Sequence, residues 1–268
     1  MNRKDSSLEG KRILITGADR GIGAALAIRF AEMGAHLCVN LFSSVETSEP
    51  LLGQLSRASG QRVLAVQADV RDPTQIDVMF ESAAEKLEGL DALVNNAGVE
   101  SIHSALELSV EEWDRVLDTN LRGSFLCAQR AARIMRDQSG GVILNISSIH
   151  DSQPRLGTAH YCASKAGLTM LTRALAQEWA EHRIRVVGIA PGAVETAINE
   201  AAIAKIGRSR FEEWIPLSRL GNTDDICDAA TYLISDQASY ISGATLVVDG
   251  AYSLNGIQYD SRGDIAWE

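Results

Sequence analysis

No stretch of the chain stays apolar for the roughly 18–20 residues that a membrane-spanning helix requires, which predicts a soluble protein with no membrane partner. The opening residues Met1–Ser7 run directly into a strand-like segment without the apolar core of a signal peptide. The expectation is therefore a non-secreted, cytoplasmic chain. Positive charge is in deficit, with 25 Lys and Arg against 35 Asp and Glu and a formal net charge of −10. That balance argues against nucleic acid as the main partner. Cysteine is sparse. Cys38, Cys127, Cys162 and Cys227 form no Cys-x-x-Cys pair and each sits in an apolar segment, so buried, reduced thiols are expected. His, Cys and carboxylate residues do not cluster at metal-ligand spacing, and no metal is expected.

The sequence does contain the material for a sizeable core: 46% of its 268 residues are hydrophobic. Short apolar runs at 11–16, 36–41, 62–67, 91–94, 141–146, 184–189 and 244–248 read as buried strands. Helical patterns separate them, at about 21–34, 45–59, 73–88, 110–137, from 160 past Trp179, and 222–235. Asn222-Thr223-Asp224-Asp225 is a good helix start. Residues 197–216 look irregular and only partly helical, and the tail 250–268 shows no firm pattern. Strand–helix alternation of this kind predicts an α/β, doubly wound parallel sheet of about seven strands. With no linker, composition shift or repeat, residues 1–268 read as a single domain carrying an insertion around 195–216.

Such sheets bind ligands outside the carboxyl ends of their strands, and the chain places unusual residues there. After the first strand comes Thr16-Gly17-Ala18-Asp19-Arg20-Gly21-Ile22-Gly23. A glycine turn opening a helix lets backbone amides approach a pyrophosphate, where the helix dipole favours negative charge. The second strand ends in Leu41-Phe42-Ser43-Ser44, with no carboxylate before Glu46. An acid at that point would accept from ribose hydroxyls and repel a 2′-phosphate. Its absence, with Arg20 and the serines nearby, favours NADP over NAD. Asp69, followed by Val70, could reach an adenine amino group or cap the turn before Pro73. Asn95-Asn96-Ala97-Gly98 is small and polar enough for a ligand to approach the backbone. Asn120 falls inside a long helical pattern, where Asn is a poor residue, and asks for a reason such as a kink or a held water. Tyr161 and Lys165 stand four apart at a helix start and so share a face. Free tyrosine titrates near ~10. A neighbouring ammonium is expected to lower that value and make the phenol a proton-exchanging group.

Together these motifs resemble the short-chain dehydrogenase/reductase family over nearly the whole chain. Gly17…Gly21-x-Gly23, Asn95–Gly98, Asn120, Ser148, Tyr161-x-x-x-Lys165 and Pro191-Gly192 occur in the family's order, with Ser148 thirteen residues before Tyr161. The resemblance implies a Rossmann fold, a nicotinamide cofactor (NADP or NAD), and a catalytic set of Asn120, Ser148, Tyr161 and Lys165. Tyr161 would be the general acid or base. Lys165 would assist it and hold the nicotinamide ribose, Ser148 would bind the substrate oxygen, and Asn120 would hold a water. Cofactor contacts would come from Gly17, Asp19, Arg20, Gly21, Ile22, Gly23, Leu41, Phe42, Ser43, Asp69, Val70, Asn96, Ala97, Gly98, Tyr161, Lys165, Pro191, Gly192, Val194 and Thr196, with Asn95 on the adenosine side. Glu100 and the run from Ile149 to Pro154 look like the glucose 1-dehydrogenase branch, while the sequence departs from that branch in residues 200–216, the substrate-covering region, and in its tail. A polar pocket of Glu100, His150, His160 and Asn199 would suit a sugar or polyol. A ketone or 3-oxoacyl reductase is the alternative reading, and a non-catalytic cofactor sensor a remote one. The family commonly assembles as homotetramers through the helices carrying Asn120 and Tyr161.

Overall fold

Alternation decides which side of the sheet each strand residue enters. Strands β1 (Arg12–Ile15), β2 (His36–Leu41), β3 (Val63–Gln67), β4 (Ala92–Asn95), β5 (Gly141–Ile146), β6 (Ile184–Pro191) and β7 (Thr245–Val248) form one sheet in the order β3-β2-β1-β4-β5-β6-β7. Every pairing is parallel. Ile13 and Ile15 of β1 face one core while Leu14 faces the other, and Leu37, Val39 and Cys38 of β2 divide in the same way. Residues 8–58, 60 and 63–255 are described by the computed structural model, apart from the side chains at 198, 201 and 202. The opening residues 1–7, the start of the expected third strand at 62, and most of the tail (256–268) lie outside the described residues.

The helices are α1 (Gly21–Glu32), α2 (Glu49–Ala58), α3 (Pro73–Leu87), α4 (Val110–Leu117), α5 (Ser124–Arg136), α6 (Ala159–Glu178), α7 (Ala197–Ile206), α8 (Arg208–Trp214) and α9 (Thr223–Ile234). Leu26, Ala27 and Phe30 of α1 pack with Ile226, Cys227 and Ala230 of α9 on one face of the sheet. Ile76, Met79 and Phe80 of α3, Cys127 and Ala131 of α5, and Leu175 of α6 cover the other. The chain reverses its winding between β1 and β4, and that switch opens a crevice at the strands' carboxyl ends.

Two expectations change. The single helix over 110–137 is α4 and α5 joined by a π-helical segment, Asp118–Gly123, that contains Asn120. The irregular stretch 197–216 is two helices, α7 and α8, meeting at Gly207 with φ 95°. The turn before Pro73 is held by Asp69, one of the two roles expected of it, with Oδ1 accepting from Arg71 N at 2.9 Å, and Asp72 then caps α3 with its carboxylate accepting from Thr74 N at 2.8 Å. Asn222 caps α9 in a reciprocal box with Asp225, as its sequence suggests. All four cysteines are free thiols, buried at 38, 127 and 227 and half-buried at 162. Burial pushes the three buried thiols up to about 12.

Candidate active site

A cleft of about 1260 Å³ runs over the carboxyl ends of the strands. One end is built by the glycine turn. Gly17 adopts φ 62°, and a Cβ there would stand 2.7 Å from Ala97 Cα. The strand end of β4 therefore packs directly on the turn. Asn96 closes this junction, its Nδ2 donating to Thr16 O at 2.9 Å and Gly17 O at 2.7 Å. Gly23 lies behind the turn, where a Cβ would meet Gly17 O at 2.3 Å, so it shapes the cleft without lining it. Asp19, Arg20, Gly21 and Ile22 do line it. The Asp19 carboxylate accepts from Phe42 N and Ser43 N, each at 2.9 Å. Leu41 does not reach the cleft. Its side chain is fully buried in the core beneath α1, and its carbonyl accepts from Ala68 N.

Asp69 and Val70 line the same end. The Asp69 carboxylate is engaged by Arg71 at 2.6 Å, and that pairing holds it below the usual carboxylate range. Asn95 faces away from the cleft. Its Nδ2 donates to Asn145 Oδ1 and Ser124 O within the core. Ala97 and Gly98 form the floor, and Pro191, Gly192, Val194 and Thr196 the opposite wall.

Tyr161 and Lys165 meet at the other end. Lys165 Nζ lies 5.6 Å from the centroid of the Tyr161 ring and donates to Ile146 O at 2.9 Å. Burial depresses the ammonium to about 8, against the opposing pull of Glu100 and Asp151. The expected lowering of the phenol is not what the surroundings produce. Burial, then the negative charge of Glu100, push Tyr161 above its ordinary value, while Ser148 pulls it down. Ser148 Oγ accepts from His150 N at 3.1 Å, which leaves its hydroxyl hydrogen to donate into the cleft. Ser147 turns into α6, with Oγ 2.9 Å from Thr169 Oγ1.

Asn120 is fully buried and does not line the cleft. Its Oδ1 accepts from Val99 N at 2.8 Å, and its Nδ2 donates to Val99 O at 2.9 Å and Ser164 Oγ at 3.1 Å. Both amide hydrogens are thus engaged within the chain, and Asn120 couples the loop after β4 to α6. The polar pocket is partly regrouped. Glu100 lines the cleft but is paired with Arg155 at 2.6 Å. His150 lines it too, with Nδ1 donating to Gln153 O at 2.8 Å. His160 is buried outside it, Nε2 2.8 Å from Ser101 Oγ. Asn199 lines the cleft while donating to Val194 O at 2.8 Å. Sequence reasoning assigned 200–216 to the substrate cover without singling out Ile206, Phe211 or Trp214 as its apolar wall, and it missed Arg155 and Tyr252. None of these falls in a motif, and Tyr252 belongs to a tail without periodic signal.

A nicotinamide dinucleotide fits these features. The turn offers free backbone at a helix start, Gly98 leaves the floor open beside Asn120 and Lys165, and the cleft extends from Phe42 to Trp214. The family model described as enoyl-(acyl carrier protein) reductase matches residues 17–253. The chain is 42% identical to 3β-hydroxysteroid dehydrogenase 1 of Eggerthella lenta, over 92% of this chain and 95% of that protein. It is 36% identical to glucose 1-dehydrogenase 2 of Bacillus subtilis, over 92% and 96%. The crystal structure of 3-ketoacyl-(acyl-carrier-protein) reductase from Brucella melitensis complexed with NADH superposes with a TM-score of 0.84 at 37% identity, covering 92% of this chain and 100% of that one. The chain belongs to the short-chain dehydrogenase/reductase family, whose members use a nicotinamide nucleotide to interconvert CH–OH and carbonyl groups.

Proposed function

We propose that the protein oxidises a secondary alcohol, or reduces the matching ketone, with Asn120, Ser148, Tyr161 and Lys165 as its working residues. The observation that carries this reading is the meeting of Tyr161 and Lys165 on one wall of a dinucleotide-sized cleft. When bound, the nicotinamide supplies hydride acceptance in oxidation and hydride donation in reduction. The chain handles the oxygen and its proton. A phenol held above its ordinary value stays protonated at neutral pH, which suits Tyr161 to give its proton to a carbonyl oxygen in reduction. In oxidation it takes the alcohol proton. Lys165, depressed to about 8, is charged at neutral pH and stabilises the phenolate left behind. Ser148 donates to the same oxygen and opposes its developing charge. Asn120 is a positioning residue that fixes Val99 and the start of α6. Gly17–Gly23, Phe42, Ser43, Asp69, Val70 and Asn96–Gly98 serve the adenosine and pyrophosphate. Pro191, Gly192, Val194 and Thr196 serve the nicotinamide end.

The substrate reading with most support is a cyclic secondary alcohol with a large apolar surface. Phe211, Trp214 and Tyr252 supply apolar wall, and the Glu100 carboxylate is occupied by its ion pair with Arg155. A hydroxysteroid dehydrogenase at 42% identity agrees with that. A sugar or polyol is the second reading. It is favoured by His150, whose Nε2 is left to accept a hydroxyl once Nδ1 donates to Gln153, and by the glucose 1-dehydrogenase relative. A panel of hydroxysteroids, cyclohexanols, glucose and polyols, followed at the nicotinamide absorbance, tests both. Turnover of the apolar ring alcohols is expected, and turnover confined to sugars would replace the first reading with the second.

The choice between NADP and NAD lies with two neighbours: exposed Arg20 supports a 2′-phosphate, and the Asp19 carboxylate opposes it. One domain over the whole chain and a homotetramer complete the proposal. Exposed Val110 and Trp113 on α4, and Leu246 and Val247 on the edge strand β7, support assembly. Light scattering on the purified protein checks it. Four unpaired thiols suit a cytoplasmic setting.

A further inference from the structure

The backbone amides that follow β2 already hold an anion, and it comes from the glycine turn. Asp19 Oδ2 accepts from Phe42 N and Oδ1 from Ser43 N, both at 2.9 Å. The carboxylate therefore lies across two successive N–H groups, and Asp19, Phe42 and Ser43 all line the cleft. In this type of sheet the end of the second strand meets the adenosine ribose, where an acid favours NAD and a cation favours the 2′-phosphate of NADP. The sequence of the strand end contains no acid, but the fold delivers one from 23 residues upstream.

The competing group is Arg20. It is exposed, and among the described residues its guanidinium has no hydrogen-bond or ion-pair partner. Its charge is therefore open to screening by solvent and salt. Asp19 is fixed by two hydrogen bonds. A 2′-phosphate brings up to two negative charges and needs N–H donors, and the two donors at hand are occupied by a group of like charge. A ribose diol brings O–H donors instead, and a carboxylate holding two amides keeps lone pairs for them.

We infer that Asp19 selects NAD(H) over NADP(H), acting from the glycine turn at the place where an acid at the end of β2 would otherwise act. The inference rests on the cleft's taking a nicotinamide dinucleotide. It deepens that reading by assigning the specificity to a residue next to the arginine that alone suggests the opposite.

The test is binding without turnover: titration of NADH and NADPH, read by dinucleotide fluorescence, into the native protein and Asp19→Ser, Asp19→Asn and Arg20→Ala. Unfolding temperature is recorded for each variant, because Asp19 also ties the turn to β2. The native protein is expected to bind NADH at least about tenfold more tightly than NADPH, the scale of one close like-charge contact near a surface. Asp19→Ser and the near-isosteric Asp19→Asn should each shift that ratio toward NADPH by about tenfold, and Arg20→Ala should shift it the other way and by less. Native protein that binds NADPH as tightly as NADH, or folded Asp19 variants with an unchanged ratio, would overturn the assignment. Binding of neither dinucleotide would overturn the cofactor reading and this inference together, an outcome distinct from the first two.

Discussion

Asn120 and Val99 hold each other at both main-chain atoms: Val99 N donates to Asn120 Oδ1 at 2.8 Å, and Asn120 Nδ2 donates to Val99 O at 2.9 Å. The side chain acts as a missing strand partner for the loop that leaves β4, and it sits in the π-helical break between α4 and α5. Replacing it with alanine strands the Val99 amide in a partly buried place. Asn120→Ala is expected to lose about 1–3 kcal/mol of stability. It should also lower kcat more than it weakens NADH binding, since Ser164 and the Tyr161 helix lose a tether. Denaturant unfolding and a kcat-against-binding comparison check this. Equal stability to the native protein would mean that the clasp carries no load.

Lys165 gives the pH dependence a sign. Burial lowers its value to about 8, so the ammonium is present below that pH and lost above it. Ketone reduction, which needs both the protonated phenol and the ammonium, is expected to be flat on the acid side and to fall above about pH 8. Alcohol oxidation needs the phenol's proton removed and should climb with pH, because burial and Glu100 hold that proton on. Lys165→Arg keeps its charge throughout this range and should remove the alkaline fall in reduction. A pH profile of kcat/KM in each direction is the measurement. A reductive profile with the same alkaline limb in Lys165→Arg would take the limb away from Lys165.

Arg155 shields Glu100 at the substrate end, 2.6 Å away, with the Glu100 side chain 13% exposed. Arg155→Gln leaves that carboxylate without its cation beside Tyr161. Destabilisation of about 1–3 kcal/mol is expected. The phenol loses a charge that lowers its value and keeps one that raises it, so the oxidative limb should move to higher pH. Thermal unfolding and the oxidative pH profile read the two effects separately.

Glu112 gathers Ser101 and Arg115 beneath the start of α6. The hydrogen bonds from Arg115, then from Ser101, hold its carboxyl down to about 2. A depressed folded-state value stabilises above the unfolded value of 4.5, and the contribution fades as pH falls from there toward 2. Glu112→Gln should therefore melt below the native protein at pH 7, and the two should converge near pH 2–3. A gap independent of pH would point to shape rather than charge.

The strands, their parallel sense and most of the cleft residues were legible because periodicity and turn chemistry are local signals. Asn120 was visible as a misfit: a poor helix former in a helical pattern marked the break, though not its π geometry. The helices over 197–214 were not visible. Ala197–Ile206 scatters its polar residues Asn199, Glu200 and Lys205 around the helix, so no apolar stripe can be read from it. The Asp19 contact was hidden because it joins residues 23 and 24 apart through a turn. The direction of the Tyr161 shift was hidden as well, because spacing reveals the neighbouring amine and not the burial that outweighs it.

Tyr161→Phe removes one oxygen and leaves the ring, the Lys165 contact and the glycine turn in place. Turnover of the best substrate and the fluorescence-detected affinity for NADH, measured on the same preparation, put the proton-transfer role to the most direct trial. Turnover is expected to fall by about 10²–10⁴-fold, with NADH affinity close to native. Turnover comparable to the native protein in a variant that binds NADH normally would contradict the assignment of Tyr161 as the acid and base.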